Sequence, residues 1–210
     1  MAPPNSPPPS LVKQFRILAW ILVALAIAGI GALMLIRITT VHPPQSTADK
    51  TEPNIGGPFT LVASDGKPFS SAALKGKPYA IFFGFTHCGD VCPTTLARLV
   101  KLRAAAGGER AFQIVFITTD PERDTPALVG QYATLFNSPI IGLTGSVAQI
   151  DQVKKQYGIY AAKHPMAGGG YMMDHTATVL LYGRDGRFAG TIAPDEPDSS
   201  ALDKLKNVTT

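Results

Sequence analysis

The sequence predicts an α/β sandwich with a mixed sheet, carried behind one transmembrane helix. Three observations lead there. The runs YAIFFGF (79–85) and AFQIVFITTD (111–120) read as strands buried in the middle of a sheet, with a helical pattern between them. Hairpin signals flank this strand–helix–strand core at both ends, which argues for a mixed rather than a purely parallel sheet. Ahead of it, residues 17–36 (ILAWILVALAIAGIGALMLI) form 20 consecutive residues without a charge.

The N-terminal part is read first. Residues 1–16 open with MAPPNSPPPS, a proline-rich stretch without apolar period, and are expected to be a disordered cytoplasmic tail. The 17–36 run spans roughly 30 Å as a helix, the thickness of a bilayer's hydrocarbon core. It is longer than the apolar region of a signal peptide and closes on Arg37, so an uncleaved anchor is expected. Lys13 and Arg16 precede the span and Arg37 follows it, which predicts a cytoplasmic N-terminus. Residues 37–54, including VHPPQSTADKTEP, read as a polar linker.

The domain is expected over residues 55–207. IGGPFTLVASDGKPFS alternates apolar residues around an SDGK turn and reads as a hairpin; SSAALKG is a short helical piece before the first buried strand. A helix is predicted from Pro93 to about Ala106, stopped by Gly107-Gly108. After the second strand and a DPERDTP loop, Thr125-Pro126 caps and starts a helix to about Phe136. IIGLTG is a further strand, Ser146 caps a helix to Tyr157, and residues 159–163 are extended. KHPMAGGG reads as a flexible loop with His164 at the surface. TATVLLYGRDGRFAGTIA is a closing hairpin, followed by a short terminal helix near Ser199–Leu205. Element order and the cysteines at a strand–helix junction make the domain thioredoxin-like.

Charge excludes one class of partner. Of the net charge of +4, residues 1–50 account for +3, so the domain is close to neutral. With no basic run or aromatic-rich basic stripe, nucleic acid is not expected as a partner.

The chemistry centres on FFGFTHCGDVCPTT (82–95), which holds both cysteines of the chain, Cys88 and Cys92. If the following helix reaches back to Cys88, the i, i+4 spacing stacks the sulfurs on one face. A helix N-terminus favours thiolate over thiol. A structural disulfide, a redox pair and a metal site all use such cysteines. The C-x3-C spacing leaves more room between sulfurs than the C-x2-C of redox motifs, which favours metal. Among the four histidines, His175 in YMMDHTATVLLY could be a third ligand, since a strand following such a loop can return beside the cysteines, or a structural residue, as a lone histidine more often is. Asp90 is placed for a supporting or partner-facing role, or as a carboxylate at a helix start. Asp174 is a candidate orienter of His175, or a turn residue. Met172 and Met173 read as packing residues. DPERDTP reads either as a site-shaping loop or as a cap and ion-pair cluster.

THCGDVCPTTL, TDPERDTP and MDHTATVLLYGRDGR, in this order behind a single anchor, resemble the Sco/SenC family of copper-binding proteins over about residues 55–193. The resemblance implies that Cys88, Cys92 and His175 bind one copper ion, as Cu(I) or Cu(II). It implies a metallochaperone rather than an enzyme, tethered to a bacterial inner membrane with its domain in the periplasm. The client would be the copper-bearing subunit of a cytochrome c oxidase, at its Cu-A centre, with a periplasmic copper donor and a thiol reductase as further partners. Loading would require the reduced pair rather than its disulfide. The family usually has proline at the position of Gly89, where glycine should loosen the loop. The alternatives are a thiol–disulfide oxidoreductase that reduces the client's Cu-A cysteines through Cys88 and Cys92, and a thioredoxin-fold peroxidase.

Overall fold

The computed structural model describes residues 20–32 and 55–209. Residues 20–32 form a helix, α1, whose apolar side chains, among them Trp20, Leu22, Leu25, Ile27 and Ile30, are exposed. Among the described residues no helix is long and apolar enough to cross a membrane. The rest of the expected 17–36 anchor, the 1–16 tail and the 37–54 linker lie outside the described residues.

The second unit is built on a seven-stranded mixed sheet of order β2-β1-β5-β4-β3-β8-β9. In chain order its strands are β1 (Thr60–Ala63), β2 (Pro68–Ser70), β3 (Tyr79–Gly84), β4 (Gln113–Thr118), β5 (Ile140–Thr144), β8 (Val179–Tyr182) and β9 (Phe188–Ile192). The three central strands β3, β4 and β5 run parallel; β1 and β8 pair antiparallel on either side. The mixed α/β sheet flanked by helices is therefore as expected. β3 is buried at every position because it feeds both faces in turn. Ala80 and Phe82 enter one core, with Leu96, Leu99 and Phe116; Ile81 and Phe83 enter the other, with Leu61, Val115 and Tyr157. This alternation within an all-apolar strand is what burial on both faces requires.

The helices are α2 (Val91–Ala105), α3 (Pro126–Thr134), α4 (Val147–Gln156) and α5 (Asp198–Thr209). Thr125 accepts from the Leu128 N–H and Ser146 from the Gln149 N–H, the latter inside a full capping box, so both helix starts stand where the sequence placed them. Ser71–Leu74 is a single 3-10 turn. Two elements differ from expectation. α5 runs four residues past Leu205 and is docked, not marginal: Ala201 and Leu205 are buried, and Arg98 of α2 pairs with Asp198 at 2.8 Å. Residues 161–175, expected as an extended piece to Lys163, a loop over KHPMAGGG and the start of the closing hairpin, form an antiparallel ribbon of β6 (Ala161–Pro165) and β7 (Tyr171–His175), separate from the main sheet. His175 thus ends a strand of this ribbon rather than starting the closing hairpin, and His164 lies in a strand rather than a loop.

Candidate metal centre

The cysteines lie at the carboxyl end of β3, the edge where open α/β sheets place their sites. Helix α2 begins at Val91, two residues before the expected Pro93, and Cys88 stays outside it in the preceding turn. Proline is tolerated in this first turn because its missing N–H has no helical partner there anyway. Asp90 is the N-cap by position, yet its side chain caps nothing and only approaches the Thr94 hydroxyl, at 3.5 Å. The Cys88 sulfur takes that role: the Cys92 N–H donates to Cys88 Sγ at 3.4 Å. The two sulfurs therefore meet through a capping contact at a helix N-terminus rather than by stacking on a helix face.

Cys92 is fully buried and Cys88 half-buried, and both are free thiols. Burial pushes the Cys92 thiol well above its ordinary pKa, and the neighbouring Cys88 sulfur pushes in the same direction. Gly84, at the end of β3, makes the space: a Cβ there would stand 2.7 Å from Cys92 Sγ and 2.9 Å from the Phe116 ring. Gly84→Ala should lower stability by about 1–3 kcal/mol and weaken metal binding together, read by thermal unfolding and metal titration. A variant as stable as the parent would show that α2 can give way without cost. Gly89, in contrast, has open space where its Cβ would be, and no left-handed φ, so the fold does not require glycine there.

His175 completes the group. Its Nε2 lies 3.4 Å from Cys92 Sγ, across 83 residues of chain. Its Nδ1 lies 3.0 Å from the Thr176 carbonyl; a carbonyl only accepts, so Nδ1 carries the proton and Nε2 presents a lone pair towards the sulfurs. The ring stands edge-on to Phe85 and Phe82, with centroids 5.7 and 6.0 Å away. Sγ of Cys88, Sγ of Cys92 and a ring nitrogen of His175 all lie within 4.8 Å of one another, a set that could hold one copper ion. Cys88 and His175, but not the buried Cys92, line an open cleft of about 330 Å³, bounded by Phe85, Cys88, Gly89 and Val91 on one side and Met172 and His175 on the other.

The other sequence candidates fall in different places. Asp174 is exposed and lies 3.9 Å from His164, not against His175, whose orienting partner is the Thr176 carbonyl. His87 points away, to the Thr86 hydroxyl at 3.1 Å. Met173 is 7% exposed and packs in the core, whereas Met172 is 47% exposed on the cleft. DPERDTP proves to be both things considered for it, since its ion pair shapes the site. Arg123 pairs with buried Asp120, stacks 3.9 Å over the Tyr171 ring and donates to the Tyr171 carbonyl. The Tyr171 hydroxyl in turn donates to Asp120 at 2.7 Å. Tyr171 opens the strand that His175 closes, so this clamp sets the ribbon that delivers the histidine. Sequence reasoning missed Tyr171 and Gly84, because neither carries a reactive group.

Comparison with known proteins gives the same direction. A family model described as SCO1/SenC matches residues 47–210. The human mitochondrial SCO1 homolog is 32% identical over 183 residues, covering 81% of this chain and 60% of that protein. The chain spans only 50–60% of the length of the mouse and human relatives. The structure of Bradyrhizobium japonicum ScoI with copper bound superposes with a TM-score of 0.67 at 43% identity, over 73% of this chain and 99% of that one. BsSco, described as having a disulfide switch and as a member of the Sco family of cytochrome c oxidase assembly proteins, matches with a TM-score of 0.59 at 25% identity, over 75% of this chain and 95% of that one.

Proposed function

We propose that this chain, which belongs to the SCO1/SenC family, is a membrane-anchored copper carrier. It would load the Cu-A centre of a haem–copper cytochrome c oxidase from the periplasmic side of a bacterial inner membrane. The observation that carries this reading is the convergence of two sulfurs and one imidazole lone pair, from segments 83 residues apart, within 4.8 Å. Two thiolates and an imidazole form a soft, three-coordinate set suited to Cu(I), while a structural zinc site uses four protein ligands. Copper is cargo here. Its uptake replaces the protons of the two thiols, and because burial raises the Cys92 thiol, acid opposes loading. The apolar exposed surface of α1, with the uncharged run around it, supports the anchor and hence the compartment.

The direct test uses the full chain in detergent, reduced and given Cu(I) anaerobically. One ion per chain is expected, and Cys88→Ser should abolish stoichiometric retention. Retention unchanged in that variant would overturn the assignment. A second reading, a thiol–disulfide oxidoreductase acting on the client's cysteines, is favoured by the two free thiols side by side at a helix start. It needs no histidine, which separates the two readings.

A further inference from the structure

The β6–β7 ribbon carries a second set of soft donors that the centre does not use. His164 and Met172 are direct register partners, and directly opposed side chains have Cβ atoms about 4.5–5.5 Å apart. Alternation puts Asp174, two residues beyond Met172, on the same face of the ribbon. There its carboxylate lies 3.9 Å from His164 Nε2. That is beyond hydrogen-bond distance, so the carboxylate is a nearby negative charge rather than a fixed partner, and it leaves the other nitrogen, Nδ1, to face an ion. All three side chains are exposed, and Met172 also lines the cleft that opens on Cys88 and His175. A core-packing role, which accounts for Met173, does not account for Met172.

The geometry points to a Cu(I)-capture site formed by His164 Nδ1 and Met172 Sδ, with the Asp174 carboxylate nearby, that passes its ion to the Cys88–Cys92–His175 centre. This rests on the copper-carrier reading above. Imidazole with thioether binds Cu(I) but lacks thiolate, so it holds the ion more weakly than the centre does, and transfer runs downhill. In the handover the Cu–N(His164) and Cu–S(Met172) bonds break and bonds to Cys88 Sγ, Cys92 Sγ and His175 Nε2 form. The Cys88 and Cys92 thiol protons leave to water, and copper stays Cu(I) throughout.

The test uses the full chain in detergent with Cu(I) supplied anaerobically. Joint replacement by His164→Gln and Met172→Leu should slow loading about tenfold, within the range expected on removing groups that support a metal. The final affinity and the one tightly held ion should be unchanged. In parallel, methionine methyl resonances of the unsubstituted protein are followed as Cu(I) is added beyond one equivalent. The Met172 methyl should shift while that of buried Met173 stays. Equal loading rates together with an unmoved Met172 methyl would overturn the capture site while leaving the main centre intact. Failure of the unsubstituted protein to hold a first ion would instead overturn the carrier reading, and a Met172 shift would still report the second site.

Discussion

His175→Ala is expected to leave the domain folded and to weaken Cu(I) binding by at least about a hundredfold, beyond the 10–100-fold typical of losing only a supporting residue. The ring is half-buried and contributes a lone pair whose direction the Thr176 carbonyl sets. Alanine removes one donor of three and opens the space beside Phe82 and Phe85, so water rather than a fixed nitrogen would face the sulfurs. Competition against a calibrated Cu(I) chelator measures the change. The same variant assayed for disulfide reduction should be close to the parent, since Cys88 and Cys92 remain. Affinity within threefold of the parent would remove His175 from the centre and favour the oxidoreductase reading.

The second large effect is on stability. Asp124→Ala should cost about 3–5 kcal/mol, because three donors lose a buried charged acceptor. Its carboxylate is fully buried and accepts from the Thr86 N–H at 3.0 Å, the Thr86 hydroxyl at 2.5 Å and the Thr118 hydroxyl at 2.5 Å. Its own carbonyl accepts from Thr144 at 2.8 Å. One residue thus fastens the turn before Cys88 to the ends of β4 and β5. For a domain of this size the unfolding midpoint should fall by about 10 °C, and Asp124→Asn, which keeps one acceptor oxygen, should lie between. A midpoint within 2–3 °C of the parent, about 1 kcal/mol at this size, would mean that water replaces the carboxylate without loss.

Much of this architecture could be read in the sequence because strand burial and helix capping leave local marks. The all-apolar run at Tyr79, Thr125-Pro126 and Ser146 with Gln149 are short-range signals that tertiary context did not override. The β6–β7 ribbon left none. Its strands AAKHP and YMMDH are mostly exposed, so they lack apolar alternation, and the glycines at 168–170 look like a loop whether or not strands flank them. The start of α2 was displaced for a related reason. Its cap contact comes from a cysteine sulfur and its N-cap aspartate makes none, so the usual side-chain signature is missing. Cys88 and Cys92 were legible as chemistry, and His175 was legible through family likeness. That Asp174 lies beside a different histidine depends on a strand pairing that no local pattern encodes.

The unequal burial of the two sulfurs gives the centre a handedness of access. Cys92 is sealed under Gly84 and the Phe116 ring, while Cys88 stands at the mouth of the cleft. If the centre carries copper as proposed, an incoming ligand would come from the cleft, which Cys88 and His175 line and Cys92 does not. Departure would then be sequential, with the sealed Cys92 sulfur the last to release the ion. An ion passed in that manner would not be free in solution during the exchange.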